Sequence, residues 1–395
     1  MGNSTSATCT HPFGNVRKKQ TDRGGSQDLN IQCAVSEMKG YRLTMEDTHI
    51  HAVGHIPVRG ASILTDHSLF GVFDGHGGDF TSQFLAANFM GIFSRQEELM
   101  EYLDLPETGD KSRGDVNGLE LLQAALTNTF FELDEQLRPL QEERTEGLRN
   151  GTLQVSVLNH DDFSSPTKHN KEEKSGSTAV IVLVTPSHIL CANTGDSRAI
   201  LRRSGQTLPL SMDHKPSELP ERLRIHEWSG FVKGKRVNGD LSVSRAFGDF
   251  VYKDNGDPLG QYTSRRLASQ QKVIVTPDFM VYPRNDAQDE FILLACDGVW
   301  DVVSNQQLSE FVCRMIADGE VDLGNICEEC LDTCLDRQSR DNMTIMLVSL
   351  PGIPMDHSSS AALNNAIWGT RTARQARHMF ATPCTSRSLS QSVEV

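Results

Sequence analysis

The sequence contains no apolar run approaching the ~20 residues that would cross a bilayer. Its first residues lack the apolar core of a secretory signal, so we expect a cytoplasmic protein. Positive charge is in short supply: 38 basic against 52 acidic side chains leave a net −14 over 395 residues. A general nucleic-acid binder needs a basic face to match phosphates, so nucleic acid is not an expected partner. No repeat at solenoid spacing occurs. No Gly-x₄-Gly-Lys-Ser/Thr loop is present either, which argues against an NTPase. The nine cysteines are odd in number, and several lie inside expected strands or helices. They read as reduced thiols rather than a disulfide framework. Cys327, Cys330 and Cys334 are spaced along one helix face beside Leu323, Leu331 and Leu335, so we expect buried thiols there rather than a zinc site. Cys296 is followed by Asp297-Gly298-Val299-Trp300-Asp301-Val302, which is not the Cys-x₅-Arg loop of a thiol nucleophile.

What the chain does contain is acid at the ends of apolar runs. Val72-Phe73 leads into Asp74-Gly75-His76-Gly77-Gly78, and Phe291–Cys296 leads into Asp297-Gly298-Val299-Trp300-Asp301. Asp341-Asn342 opens Met343–Val348, and Glu46-Asp47 precedes Thr48–Val53. Strand ends on a rigid sheet can crowd carboxylates into one small volume. Such carboxylates repel one another unless hard cations neutralise them. The pattern reads as a multinuclear Mg²⁺ or Mn²⁺ site, and sites of that kind most often handle phosphate.

Periodicity supplies the frame. Ile31–Ser36 and Leu69–Phe73 read as strands. Phe80–Phe93 reads as a helix through Phe84, Leu85, Asn88, Phe89 and Ile92, and Leu119–Leu140 as another. Ala179–Val184 and Ile189–Asn193 flank Thr185-Pro186-Ser187-His188 as a hairpin, and Ala199–Arg203 is expected to continue that meander. Glu221–Trp228 is a short helical stretch. Ser304 with Gln307 forms a capping box ahead of a helix, Leu323–Leu335 is a further helix, and Thr344–Leu350 is the last strand. Strands dominate between residues 175 and 300 without alternating helices, which disfavours a doubly wound parallel sheet. Asp254-Asn255-Gly256-Asp257 lacks the closing Glu of a calcium loop and reads as a turn.

These motifs carry a resemblance. Arg42-Leu43-Thr44-Met45-Glu46-Asp47 and Phe73-Asp74-Gly75-His76-Gly77-Gly78 come first. Ser175-Gly176-Ser177-Thr178-Ala179, Asn193-Thr194-Gly195-Asp196-Ser197-Arg198 and Arg236-Val237-Asn238-Gly239 follow. Ser244-Arg245-Ala246-Phe247-Gly248-Asp249, the Asp297 motif and Ser339-Arg340-Asp341-Asn342 complete the set. In this order, from about Ile31 to Leu350, they resemble the PPM family of metal-dependent protein serine/threonine phosphatases of type 2C. The resemblance implies an α/β fold, a PPM-type sandwich of two central antiparallel β-sheets flanked by helix pairs. It implies hydrolysis of phosphoserine and phosphothreonine proteins by a water bridging two Mn²⁺ or Mg²⁺ ions, without a phosphoenzyme. Asp74 would bridge the ions, Asp297 and Asp341 would complete one shell, and Glu46 and the Gly75 carbonyl would serve the other. Asp47 would orient a bound water. Asp196 and Asp301, with Asp297, would hold a third ion. Arg42 would bind the substrate phosphate, and His76 would protonate the leaving alkoxide. Arg236, Asn238 and Asp249 would be structural supports beside a flap over residues 213–235. The reading from another class is a catalytically silent phosphoprotein-binding scaffold. Such proteins commonly lose metal ligands, and every required acid is present here.

One catalytic domain is expected over residues 29–352, with a polar insertion at about 142–174. Residues 1–28 are expected to be a flexible segment, and the Ser-, Thr- and Arg-rich residues 353–395 a disordered basic tail. Met1-Gly2-Asn3-Ser4-Thr5-Ser6 fits the N-myristoylation pattern with Gly2 as acceptor, which would give peripheral membrane contact. Nothing in the sequence demands more than a monomer.

Overall fold

The computed structural model describes residues 15–59, 62–107, 112–153, 173–253 and 270–353. Two antiparallel sheets lie at its centre. The first runs in the order Lys19–Ser26, Ile31–Met38, Met343–Ser349, Asp289–Ala295, Arg198–Arg203, Gln206–Pro209. The second runs Asp278–Pro283, His188–Thr194, Ala179–Val184, Ser68–Phe73, Thr48–Val53. The strands buried on both faces are rich in Val, Ile and Leu, and successive side chains go to opposite faces. Ile292, Leu294 and Cys296 join Val35, Val72, Val182 and Met346 in one core between the sheets. The alternate residues Leu293 and Ala295 face outward, onto the helices Asn305–Ala317 and Leu323–Asp336. The other sheet's outer face, through Leu69, Phe73, Ile181 and Leu183, packs on the helices Phe80–Phe93 and Val116–Asn150. The result is a helix–sheet–sheet–helix sandwich, as the resemblance implies. Phe89 is fully buried, with its ring 6.1 Å from those of Phe73 and Phe130. Among the described residues no helix is long and apolar enough to cross a membrane.

Three local expectations need correction. First, residues 1–28 are not flexible throughout: Lys19–Ser26 pairs along its length with Ile31–Met38. Its side chains are polar, so no apolar alternation announces it. Charge holds it instead, with Lys19 2.9 Å from Asp332, Arg23 2.9 Å from Asp322 and Thr21 2.7 Å from Glu328 on one helix. Second, the helix expected to end at Leu140 continues to Asn150, taking in the start of the polar 142–174 segment. Arg144 explains this: its guanidinium lies 4.1 Å over the Phe80 ring and 3.0 Å from Glu173, so a charged residue covers apolar surface. Gly151, at φ 78°, then ends the helix. Third, Arg198–Arg203 does not extend the hairpin's meander. It crosses into the first sheet and pairs with Asp289–Ala295. The crossing turns on Gly195, at φ 112°, where a side chain would collide with Thr178.

Other expectations hold. The capping box at Ser304 and Gln307 is formed. Cys327, Cys330 and Cys334 are buried on one helix, and burial raises each thiol's pKa, Cys334 to about 12. The Asp254 turn, most of the 142–174 segment and all but the first residue of the 353–395 tail lie outside the described residues.

Candidate metal centre

Strand register brings the acids to one end of the sandwich. In the second sheet Thr48 lies opposite Phe73, Val72 opposite Val180, and Ala179 opposite Thr194. In the first, Arg198 lies opposite Ala295, which lies opposite Ile345. The connections at that end carry Asp47, Asp74, Asp196, Asp297 and Asp341. Ligand atoms of Asp74, Asp196 and Asp297 lie within 4.8 Å of one another, and so do those of Asp47, Asp74 and Cys296.

The electrostatics show what this crowding costs. Burial, then the charges of Asp297, Asp47, Asp196 and Asp341, push the Asp74 carboxyl well above the usual carboxylate range. Burial, then Asp196, Asp341 and Asp301, do the same to Asp297. Burial raises Asp47 to about 7, although Thr344 Oγ1 donates to its Oδ2 at 2.7 Å. Asp196, Asp297 and Asp74 offer hard oxygen donors in a volume that repels its own charge. That donor set suits Mg²⁺ or Mn²⁺. Burial and the surrounding carboxylates push the Cys296 thiol far above its ordinary value, which disfavours a thiolate among them.

The remaining expected residues surround this core. Glu46 accepts hydrogen bonds from the Gly78 amide at 3.0 Å and Thr44 Oγ1 at 2.7 Å. Gly75 packs so closely on the Glu46 carbonyl that any side chain would collide with it. Arg42 Nη2 lies 2.7 Å from Asp341 Oδ2, on the open side of the cluster. Asp301 is exposed and stands outside the tight groups, although its charge reaches Asp297. Gly2 lies outside the described residues.

Three residues have parts to play that the sequence did not reveal. Asp249, expected to be a flap support, holds His76 instead, with its Oδ2 2.7 Å from Nε2. Burial disfavours a charged His76 ring, but Asp249, Asp196 and Glu46 outweigh it and raise the pKa. Asp249 itself adopts φ 50° next to Gly248, whose amide donates to Asp134 at 2.8 Å. Lys215 donates its ammonium to Asp196, placing a positive charge inside the acid cluster. Asn342 ties the cluster's two ends together. Its Oδ1 accepts from the Glu46 amide at 2.9 Å, while its Nδ2 donates to the carbonyls of Lys39 at 3.0 Å and Thr44 at 2.9 Å. The motif had shown Asn342 without its partners, which lie about 300 residues away in sequence.

Comparison with known proteins decides the family. The profile of the family described as "Protein phosphatase 2C" matches residues 31–343. The chain belongs to the protein phosphatase 2C family. It is 37% identical over 327 residues to bovine protein phosphatase 1B, covering 82% of this chain and 57% of that protein. Against human protein phosphatase 1A it is 32% identical, covering 85% of this chain and 75% of the other. The chain thus spans little more than half the length of the bovine relative. In fold, this phosphatase 2C family member is similar to the serine-threonine phosphatase 2C of Toxoplasma gondii, with a TM-score of 0.63 and 22% identity over 84% of this chain and 99% of that one.

Proposed function

We propose that the chain is a metal-dependent protein serine/threonine phosphatase hydrolysing phosphoserine and phosphothreonine proteins. The observation that carries this is the convergence of Asp47, Asp74, Asp196 and Asp297 from four separate connections. Two Mn²⁺ or Mg²⁺ ions bound there would neutralise the acids, polarise the phosphoryl oxygens and supply an attacking water of lowered pKa. Asp74, Asp297, Asp341 and Glu46, with the Gly75 carbonyl, would hold them. Asp47 would orient water. Asp196, with Asp297 and Asp301, would serve a third ion.

The chain's own chemistry follows from the residues around that centre. Arg42 is 54% exposed and presents a fork that matches two phosphoryl oxygens. Its present partner, Asp341, would turn to cation binding and release it. His76, held at Nε2 by Asp249 and favoured in its charged form, retains Nδ1–H for donation. That proton goes to the serine or threonine oxygen as its bond to phosphorus breaks. A His76→Ala variant should therefore lose about 10²–10⁴-fold on alkyl phosphates and far less on aryl phosphates with good leaving groups. Equal losses on both would remove His76 from the role.

The direct test of the activity is hydrolysis of a phosphothreonine peptide with Mn²⁺, with EDTA, and with Asp74→Asn. Turnover that needs both metal and Asp74 supports the enzyme. Folded protein that binds phosphopeptide without turnover makes the chain a scaffold. We further assign Gly2 as an N-myristoyl acceptor giving peripheral membrane contact to an otherwise cytoplasmic monomer, on the strength of Met1-Gly2-Asn3-Ser4-Thr5-Ser6. One acyl chain anchors only weakly, at roughly 10⁴ M⁻¹. Intact mass of protein from a eukaryotic host checks it: a des-Met chain without the acyl mass ends the assignment.

A further inference from the structure

A second set of ligand atoms lies where edge strands of the two sheets meet. Thr48–Val53 is the outer strand of one sheet and Lys19–Ser26 that of the other. His49 and His51 are two residues apart on the first of these, so both side chains leave the same face. Their rings stack, with centroids 6.1 Å apart and planes 6° from parallel. Asp22 approaches from the opposite sheet, its Oδ2 3.9 Å from His51 Nε2. That separation is too long for a hydrogen bond. One ligand atom from each of Asp22, His49 and His51 lies within 4.8 Å of the others.

Two details of the surroundings favour a bound cation over a pair of surface ion pairs. His49 Nδ1 is 2.6 Å from Glu37 Oε1. A carboxylate on one ring nitrogen fixes the proton there and leaves the other nitrogen's lone pair free, the usual support of a metal-binding histidine. Gly24 leaves space at His51. A Cβ on Gly24 would come within 2.9 Å of His51 Nε2 and 3.1 Å of Cys33 Sγ. The glycine thus keeps the approach to that nitrogen open.

We propose that Asp22, His49 and His51 bind a Zn²⁺ ion that joins the edges of the two sheets. Two imidazoles and one carboxylate suit this borderline ion better than Mg²⁺, which prefers oxygen. Bonds of ~2.0–2.2 Å require the ligands to draw closer than they stand. The Asp22 side chain, 61% exposed, has room to make that movement. The fourth position falls to water. The ion would stiffen the strand that begins one residue after Asp47, so its occupancy would be felt at the catalytic end without taking part in the chemistry.

The test is Zn²⁺ titration of the full chain by calorimetry, in saturating Mg²⁺ so that the carboxylate centre is already filled. Co²⁺ is used in parallel, because its visible absorption reports tetrahedral nitrogen coordination. One Zn²⁺ should bind at this edge. His51→Gln and Asp22→Asn should each weaken it at least about tenfold, and Glu37→Gln by about 10–100-fold. Asp297→Asn should leave Zn²⁺ binding unchanged. Affinity insensitive to His51→Gln and Asp22→Asn, in variants folded by circular dichroism, overturns the proposal. So does Zn²⁺ binding abolished by Asp297→Asn, which would place the ion among the catalytic acids.

Discussion

Two buried groups of carboxylates in this molecule have opposite fates. At the catalytic end, Asp74 and Asp297 face other acids and are driven toward protonation. On the helix Leu219–Glu227, Glu221 is less exposed than either, yet its pKa is lowered. Burial works against its charge too, but Arg245 and Arg224 lie 2.8 Å away and Ser244 Oγ donates at 2.6 Å. These contacts anchor a small core of Ile225, Val237, Val243 and Ala246. The difference teaches that burial alone does not mark a functional acid. What marks it is burial among more acids than cations, a cost that fits a site where something else is to supply the charge.

The comparison can be broken most sharply by removing one acid from each group. Asp297→Asn should lower metal-dependent turnover of a phosphothreonine peptide by at least about 10³-fold, the loss expected when several kcal/mol of metal-assisted stabilisation disappears. The same change should raise the melting temperature of the metal-free protein, since it relieves repulsion. Glu221→Gln should do the reverse. It removes the carboxylate that Arg224 and Arg245 share, leaving Arg245 its ion pair with Asp278, and should cost about 1–3 kcal/mol of stability by denaturant titration. A metal-free protein destabilised by Asp297→Asn would contradict the repulsion account.

The pH dependence sharpens the same contrast. In the metal-free fold Asp47 titrates at about 7, against roughly 3.9 in an unfolded chain. A raised pKa means that the folded state holds the proton more tightly. This contribution is therefore complete below about pH 4 and is lost as pH rises through 7. Glu221, with its lowered pKa, contributes stability above about pH 4.3 that is lost as pH falls through its folded value. Thermal melts in EDTA should show Asp47→Asn gaining on the parent chain between about pH 5 and 7.5. Added Mg²⁺ should remove that gain. A constant difference across the range would show that Asp47 does not titrate as stated.

The smallest effect concerns the cation that the acid cluster does possess. Lys215→Met removes the ammonium beside Asp196. The metal-free protein should melt lower, and Mg²⁺ should bind more tightly, by about tenfold or less for one partly screened charge. Weaker Mg²⁺ binding would mean that Lys215 shapes the site rather than competing with its ions.

The sequence showed the acids because each one ends or begins an apolar run, and the strand ends turned out to be where the register gathers them. It pointed to the sandwich through the dominance of strands between residues 175 and 300 and through the resemblance, and Phe291–Cys296 and Ala179–Val184 are unbroken apolar runs because both of their faces are buried. It did not show the strand Lys19–Ser26, which is held by charges on a helix some 300 residues away. Nor did it show the crossing at Gly195, the hold of Asp249 on His76, or the place of Lys215. Each depends on a partner chosen by the tertiary fold, and a polar side chain in a list of residues does not name its partner.

The last strand among the described residues, Met343–Ser349, lies inside the first sheet between Ile31–Met38 and Asp289–Ala295. Asn342, just before it, is what fastens the Glu46 backbone in place. During synthesis, then, Glu46, Asp74, Asp196 and Asp297 all leave the ribosome before the residue that fastens the centre. A chain cut short before Asn342 would keep several of the acids but have no seam to hold them, and so no centre.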